Sequence, residues 1–275
     1  MNRLDERVAW VTGAARGQGR CHALALAERG ATIIATDITE QVASVPYEMG
    51  TAADLAETVR MVEAAGGRCV GVSSDVRDRA SIANVIDVAE RFGGVDVLVA
   101  NAAIVSYARV EALDEETWAD VIDTNLSGVF NCVQAVLPHM REQRWGRIVA
   151  TTSMGGRQGL PNGAHYAASK WGVIGFIKTV AMEVGRDGIT ANLVAPATTD
   201  TPMVMNQPTF DLFRPDLEHP TADDAMAIFA KSSRLPTTLV DPEHISRAVV
   251  YLVCDAETTS GAVLPVCLGA SALGV

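Results

Sequence analysis

The fold is decided by a stretch near the start of the chain, Arg7-Val-Ala-Trp-Val-Thr-Gly-Ala-Ala-Arg-Gly-Gln-Gly19. Its mostly apolar first half predicts a buried strand, and the glycines follow at once. A helical pattern then continues to Arg29 and ends at Gly30, and a second strand over residues 31–36 leads to Asp37. A strand, a glycine turn, a helix, a strand and an acid, in this order, are typical of a dinucleotide-binding βαβ unit.

The glycines have a physical role in this unit. They permit a tight turn and a close approach of the backbone to a pyrophosphate, whose charge is stabilised by the N-terminus of the next helix. Their spacing is Gly13-x-x-x-Gly17-x-Gly19 and not Gly-x-Gly-x-x-Gly, so the agreement is one of context and mechanism. A turn that only shapes the chain is the alternative interpretation, and the surrounding strands, helix and acid count against it.

Asp37 predicts a preference for NAD over NADP. Its carboxylate can accept a hydrogen bond from the ribose 2′-hydroxyl and would repel a 2′-phosphate. Arg16 in the glycine turn is a complication, because a cation there could accommodate that phosphate. The residues that follow Asp37 carry no positive charge, so we expect the carboxylate to decide the preference.

Strands and helices alternate along the rest of the chain. Further strands are predicted at residues 69–73, 95–100, 147–153, 188–195 and 262–267, with helical segments between them. The alternation predicts an α/β fold, a single-domain doubly wound parallel sheet of the Rossmann type over residues 1–275. Residues 114–141 predict one long helix that contains Asn125.

Residues 197–238 differ in character from the rest of the chain. They hold five prolines, with methionines and phenylalanines between them. A long excursion of this kind is usually a functional lid or is disordered, and its apolar side chains favour a substrate lid. The alternative is that these side chains pack the segment onto the body or onto another subunit.

A second group of residues indicates proton transfer to or from an alcohol oxygen. Tyr166 and Lys170 lie four residues apart in an Ala-rich helical segment, which puts both side chains on one face. A lysine ammonium near a phenol lowers the phenol's pKa from its usual value of about 10. Ser153, at the end of the fifth strand, could hydrogen-bond a substrate oxygen beside the tyrosine. Taken alone, this pattern is more often an ordinary surface pair, so the glycine turn has to decide.

Composition excludes several classes of function. The net charge is −11 and no block of Lys or Arg occurs, so neither nucleic acid nor an anionic membrane surface is an expected partner. The five cysteines are scattered and lack metal-ligand spacing with the histidines, so no metal site is expected. We find no signal peptide and no run long enough to span a bilayer, and we predict a cytoplasmic protein.

With these residues in view, the chain resembles the short-chain dehydrogenase/reductase family along its whole length. The resemblance implies an enzyme with the catalytic residues Asn125, Ser153, Tyr166 and Lys170. Tyr166 is then the acid/base, while Lys170 lowers its pKa and holds the nicotinamide ribose. Ser153 orients the substrate oxygen, and Asn125 holds a water in a proton relay.

The same resemblance implies NAD as the cofactor. The residues expected to bind it are Gly13, Arg16, Gly17, Gln18, Gly19, Asp37, Ile38, Asp75, Val76, Asn101, Ala102, Tyr166, Lys170, Pro196, Thr198 and Thr201. Substrate contacts are expected from Ser153, Met154, Tyr166 and Met203. Two departures from the family pattern are Ala103 and Ala197, which replace usual glycines and add a methyl group near the cofactor.

A narrower resemblance is to the mycofactocin-coupled branch of the family, which includes carveol-dehydrogenase-like enzymes. It rests on three stretches: Thr12 to Arg20, Ser44-Val-Pro-Tyr47 before Asp54-Leu-Ala-Glu-Thr58, and Leu212-Phe-Arg-Pro-Asp-Leu217. It implies NAD held so tightly that an external redox carrier, mycofactocin, reoxidises it in place. The inserted segment after the second strand would supply the extra contacts to NAD. A homotetramer is implied by the family. The predicted substrate is a neutral, hydrophobic secondary alcohol or ketone of the carveol kind.

Two other functions stay open. One is a 3-oxoacyl-(acyl-carrier-protein) reductase, which would usually need basic residues for an acidic carrier, so the net charge of −11 counts against it. The other is a catalytically silent nucleotide-binding scaffold, since a fold does not imply a function. The presence of all four candidate catalytic residues counts against the scaffold.

Overall fold

Seven parallel strands form one sheet in the computed structural model, which describes residues 3–273. Their order is β3-β2-β1-β4-β5-β6-β7. The strands are β1 (Val8–Thr12), β2 (Thr32–Asp37), β3 (Arg68–Ser73), β4 (Val97–Ala100), β5 (Gly146–Thr151), β6 (Ile189–Pro196) and β7 (Val263–Val266). The predicted doubly wound α/β sheet is confirmed. The single domain over residues 1–275 stays a prediction, and its first two and last two residues lie outside the described residues.

Helices cover both faces of the sheet. Their bounds are α1 (Gly17–Ala27), α2 (Ala52–Ala64), α3 (Arg79–Glu90), α4 (Glu115–Ile122), α5 (Gly128–Gln143), α6 (Ala164–Val184), α7 (Gln207–Phe213), α8 (Ala222–Ser232) and α9 (Pro242–Cys254). Apolar side chains of α1, α2 and α9 form the core on one face, and those of α3, α5 and α6 form it on the other. Strands covered on both faces are apolar throughout, which explains the near-continuous apolar runs of β1 and β4.

The order of the strands reverses between β1 and β4, and this creates a crevice at their carboxyl ends. In open α/β sheets ligands bind at such a switch point. The Thr12 hydroxyl ties the two strand ends together, because it accepts hydrogen bonds from the amides of Asn101 and Ala102, both at 2.9 Å. The glycine turn after β1 and the loop after β4 are therefore held as one unit.

The long helix expected over residues 114–141 is interrupted. A π-helical turn, Asp123–Ser127, separates α4 from α5. Asn125 lies in this turn and is fully buried, with its side chain bonded to the backbone of Ile104. A π turn widens the helix locally, and such turns often occur at functional sites. The periodicity of the sequence does not reveal the turn, because its cause is a contact with a distant loop.

The predicted lid, residues 197–238, contains the short helices α7 and α8. Phe213 and Phe229 meet edge to face between them, with ring centroids 4.9 Å apart. Phe229 is almost completely buried. These two aromatics therefore pack α7 against α8 within the lid. Among residues 3–273, no helix has the length and hydrophobicity needed to cross a membrane.

Gly19 provides a test of how closely α1 approaches the end of β1. A Cβ atom at this position would overlap the carbonyl oxygen of Gly13. Overpacking a rigid backbone contact typically costs about 1–3 kcal/mol, so we expect Gly19→Ala to lower the free energy of unfolding by this amount, measured by urea denaturation.

Gly175→Ala in α6 is the matched control. A Cβ at Gly175 meets nothing within 4 Å. Alanine has the higher helix propensity, so this variant should be as stable as the wild type or more stable by up to about 1 kcal/mol. Equal losses in the two variants would contradict the close approach.

Candidate active site

One cavity at the carboxyl ends of the strands brings most of the predicted site residues together. The predicted residues that line it are Gly13, Arg16, Gly17, Gln18, Gly19, Asp37, Ile38, Asp75, Val76, Asn101, Ala102, Ser153, Tyr166, Lys170, Pro196, Thr201 and Met203. Ala103 and Ala197 also line it, so both departures from the family pattern lie at the cavity wall. Asn125, Met154 and Thr198 are not lining residues.

The glycine turn forms one end of the cavity. Gly13 and Gly17 both have positive φ angles, +66° and +54°, which favour glycine. A Cβ at Gly13 would lie 2.8 Å from the Cα of Ala102, so the turn also packs closely on the loop after β4. Helix α1 begins at Gly17, and its first amides are therefore available to an anion at this end.

The Asp37 carboxylate connects the turn to the end of β2. It accepts a 3.0 Å hydrogen bond from the amide of Ala15. Burial raises the pKa of Asp37, and the backbone hydrogen bonds partly oppose this shift. The carboxylate is thus placed beside the turn, as a ribose-binding acid would require.

Asp75 and Val76 form the wall beyond Asp37. Arg77 holds the Asp75 carboxylate at 2.8 Å and reaches on to Asp120 of α4 at 2.7 Å. Val76 is buried, and its carbonyl accepts a 3.0 Å hydrogen bond from Asn131. The carboxylate of Asp75 is therefore engaged by protein, and the residue serves as a fixed wall.

Tyr166 and Lys170 share one face of α6, as predicted from their spacing. The Lys170 Nζ lies 5.7 Å from the centre of the Tyr166 ring and donates to the carbonyl of Thr151 at 2.9 Å. Lys170 is only 2% exposed, and burial lowers its pKa to about 8.

Tyr166 lines the cavity and is partly buried. Burial raises the pKa of Tyr166 to about 12, and the neighbouring Ser153 hydroxyl opposes this shift. Burial is thus the largest influence on this pKa and favours the neutral phenol.

The Asn125 side chain bonds to the loop after β4, and the role in a proton relay that the resemblance implied stays a prediction. Its Oδ1 accepts from the amide of Ile104 at 2.8 Å, and its Nδ2 donates to the carbonyl of Ile104 at 2.9 Å and to Ser169 at 3.2 Å. Both amide hydrogens of the side chain are engaged by protein. It fixes the loop after β4 against α6.

Of the remaining predicted site residues, some line the cavity and others lie away from it. Met203 lines the cavity, whereas Met154 is buried in the short turn after β5. Thr198 offers its carbonyl to the amide of Val240 at 2.9 Å, while its neighbour Thr199 lines the cavity. Among the described residues, no group of three or more His, Cys, Asp or Glu side chains could hold a metal ion.

One wall of the cavity comes from residues 38–50, here called the insert, the segment from which the narrower resemblance implied extra contacts to NAD. Its contributions beyond Ile38 are Val42, Tyr47, Met49 and Gly50. Its buried side chains pack with Ile104, Val105 and Val121 in a separate apolar cluster. Apolar residues alternate around Pro46, but an irregular segment has no period from which to infer which of its side chains face the cavity.

The insert is also fixed by polar contacts. The Gln41 side chain donates to three carbonyls of the insert, Arg16 donates to the carbonyl of Glu48, and Ser44 donates to Asp120 at 2.7 Å. The Tyr47 hydroxyl accepts from the amide of Val105 at 3.3 Å. Arg16 is thereby turned toward the insert, and the insert closes the cavity beside the glycine turn.

The parallel sheet carries a glycine turn, an acid after β2 and a Tyr–Lys pair at its switch point. Together they form the site of a Rossmann-type oxidoreductase. The family model for short chain dehydrogenase matches residues 7–211. The chain belongs to the short-chain dehydrogenase family, and this prediction is confirmed.

Similar proteins cover nearly the whole chain. It is 37% identical over 273 residues to (-)-trans-carveol dehydrogenase of Rhodococcus erythropolis, covering 98% of this chain and 99% of that one. The crystal structure of carveol dehydrogenase from Mycobacterium avium in complex with NAD has a TM-score of 0.95 at 41% identity, covering 99% and 100%. A 3-oxoacyl-acyl-carrier-protein reductase of Thermotoga maritima is 36% identical over 255 residues, 92% of each chain.

The structural role of Asn125 can be tested. Asn125→Ala leaves the buried amide and carbonyl of Ile104 without partners, and each unsatisfied group costs about 1–3 kcal/mol. We expect thermal and urea unfolding to show a loss of this size. Asn125→Asp retains the acceptor and loses the donor, so it should also be destabilised. A variant with native stability but lost turnover would instead assign Asn125 to the chemistry.

Proposed function

We propose that the protein is an NAD-dependent dehydrogenase that transfers a hydride between NAD and a neutral, hydrophobic secondary alcohol or ketone, with Tyr166 as the acid/base. One observation carries the proposal: Ser153, Tyr166 and Lys170 share a cavity with the glycine turn and Asp37. A nucleotide bound at one end of this cavity would bring its reactive end toward Tyr166.

The cavity wall fits NAD. Within residues 3–273, Gln18 Oε1 and Thr124 Oγ1 are buried without a hydrogen-bond partner, and both residues line the cavity. Buried polar atoms normally have partners, so these two favour a bound polar group. The Mycobacterium avium relative is a complex with NAD. NAD is the cofactor of this chain and, when bound, supplies or accepts the hydride.

Each part of the chain has a defined task toward NAD. Asp37 would accept from the adenosine ribose, the N-terminus of α1 would stabilise the pyrophosphate, and Lys170 would donate to the nicotinamide ribose. A Cβ on Gly17 would lie 3.3 Å from the methyl group of Thr201, so the start of the lid closes over the turn. These contacts position the cofactor and exclude water from the reacting end.

Tyr166 would move the proton at the substrate oxygen. A pKa of about 12 keeps the phenol protonated, which suits donation to the oxygen of a ketone as hydride arrives. In alcohol oxidation Tyr166 must first lose this proton, and the Lys170 ammonium favours that loss. Because the pKa of Lys170 is about 8, this support weakens as the pH rises above 8.

The cavity supports an apolar substrate. Ile104, Met203 and Val204 line it beside Tyr166, and Met203 also packs on the cluster around Tyr47. In the lid, the cation of Arg214 is paired with Asp216 at 2.8 Å and with Asp224 at 3.5 Å. An ion-paired arginine is a poor partner for an anionic substrate. A relative that acts on carveol agrees with this choice.

The insert supports tight retention of NAD. It packs three buried side chains, Val42, Val45 and Tyr47, against the body and closes the cavity beside the glycine turn. Release of a bound nucleotide would require these contacts to open. We therefore propose reoxidation in place by an external redox carrier, mycofactocin, as the sequence resemblance implies.

Two further predictions stay proposals. A homotetramer is supported by the exposure of large apolar side chains on α5 and α6, namely Phe130, Trp171 and Met182. A cytoplasmic location is in keeping with the free thiols of Cys21, Cys69, Cys132 and Cys267. Among the rival functions, that of a 3-oxoacyl-acyl-carrier-protein reductase is supported by the similarity to the Thermotoga maritima enzyme. The net charge of −11 still counts against docking of an acidic carrier.

The central test is a turnover assay with an artificial electron acceptor and three substrates of similar size: a cyclic terpene alcohol, a hydroxy acid and a sugar. We expect the highest kcat/KM for the terpene alcohol. Tyr166→Phe should reduce kcat by about 10²–10⁴ and leave NAD binding nearly unchanged, because only the transferable proton is lost. Preference for a polar substrate, or a Phe variant with more than about a tenth of native turnover, would contradict the proposal.

Asp37 should decide the choice of nucleotide. The wild-type protein is expected to bind NAD more tightly than NADP, because a buried carboxylate would repel the 2′-phosphate. Asp37→Asn should bind NAD more weakly and NADP more tightly than the wild type does, so the two dissociation constants, measured by calorimetry, should move closer together. Equal affinities of the wild type for the two nucleotides would show that Arg16 outweighs Asp37.

Retention of NAD gives a test of the insert. NAD should remain on the purified protein and appear in solution only after denaturation. Tyr47→Ala should speed exchange with labelled NADH, since it removes a buried aromatic contact. Tyr47→Phe, which loses only the hydrogen bond from Val105, should exchange nearly as slowly as the wild type. Free loss of NAD on dialysis of the wild type would refute tight retention and leave the dehydrogenase proposal intact.

A further inference from the structure

A hydrogen-bonded clamp lies behind the glycine turn. Thr58 of α2 is fully buried, and its hydroxyl donates to the carbonyl of Ala14 at 2.9 Å, with the carbonyl of Ala15 at 3.1 Å. Arg20 of α1 donates through Nε to this hydroxyl at 2.9 Å. Its Nη2 donates to the carbonyls of Ala15 and Asp54. Neither Thr58 nor Arg20 lines the cavity.

The amides of the same two residues are held from the opposite side. Ala14 donates to the carbonyl of Thr36 at 2.9 Å, and Ala15 donates to the Asp37 carboxylate at 3.0 Å. Both the carbonyls and the amides of Ala14 and Ala15 are therefore bonded to the protein, and their conformation is fixed.

This arrangement has an electrostatic consequence for the turn. Carbonyl oxygens carry partial negative charge and would repel a pyrophosphate if they rotated into the cavity. The Thr58–Arg20 clamp holds two of them toward α2, so the turn presents the amides at the start of α1 to the anion. Thr58 and Arg20 thus act on the nucleotide without contacting it.

We propose that Thr58 and Arg20 are positioning residues that preset the glycine turn for the pyrophosphate of the cofactor. This rests on the proposed function, because it requires a dinucleotide. It also assigns a task to Arg20 and Thr58. They belong to the stretches Thr12 to Arg20 and Asp54 to Thr58 that carry the narrower resemblance, but neither residue lines the cavity.

Thr58→Val tests the clamp, because it removes the hydroxyl and preserves the shape of the side chain. On protein stripped of nucleotide, the dissociation constant for ADP-ribose should rise about tenfold, as expected for a lost buried hydrogen bond. That for adenosine, which lacks the pyrophosphate, should change less than about twofold. Thr58→Ser should restore native ADP-ribose affinity. Thr179→Val, the same change on the exposed face of α6, is the matched control and should alter neither constant.

Several outcomes would overturn the clamp. One is a Thr58→Val variant that binds ADP-ribose with native affinity. Another is a variant that binds ADP-ribose and adenosine more weakly by the same factor and melts at a lower temperature, which would show a merely structural role. A wild type that binds neither ligand would refute the proposed function and the clamp together. If Thr58→Val does not fold, Arg20→Lys is the second variant, because it keeps the positive charge and loses the planar guanidinium group. We expect it to raise the dissociation constant for ADP-ribose relative to that for adenosine.

Discussion

The contact on which the rest of the structure depends is the approach of α1 to the end of β1. Gly19 allows the helix to reach the carbonyl of Gly13, and the Thr12 hydroxyl ties the same strand end to the loop after β4. Together these contacts place the positive end of a helix at the switch point of the sheet. Asp37 then joins the assembly through the amide of Ala15, so a hydrogen bond holds the acid after β2 directly against the glycine turn.

Burial controls the electrostatics at the other end of the cavity. It raises the pKa of Tyr166 to about 12 and lowers that of Lys170 to about 8. Both shifts favour the neutral forms, as expected when charges are removed from water. The two pKa values therefore lie about 4 units apart in the protein, whereas those of the free side chains, 10.0 and 10.5, nearly coincide. Buried groups with pKa values perturbed in this way are typical of functional sites.

The sequence was sufficient for the parts of the molecule that depend on local pattern. The unit from β1 to β2 follows from apolar runs, glycines and one acid, and the Tyr166–Lys170 pair follows from helical spacing. The π turn at Asn125 and the insert could not be predicted in the same way. Asn125 points inward because Ile104, from another loop, offers it an amide and a carbonyl. The wall formed by Tyr47 depends on the amide of Val105 and an apolar cluster assembled from distant segments.

The same contrast separates the two coverings of the cavity. The lid was predicted from its methionines and aromatics, yet only Met203 of those side chains reaches the cavity, while Phe213 and Phe229 hold the lid to itself. The insert has a less distinctive composition, yet Val42, Tyr47 and Met49 all line the cavity. Its contacts run from Glu48 at the glycine turn to Tyr47 beside the loop after β4. Because one short segment contacts both the glycine turn and the loop after β4, which Asn125 fixes against α6, any opening of it would disturb both ends of the cavity. The two ends of the cavity are therefore mechanically linked through the insert.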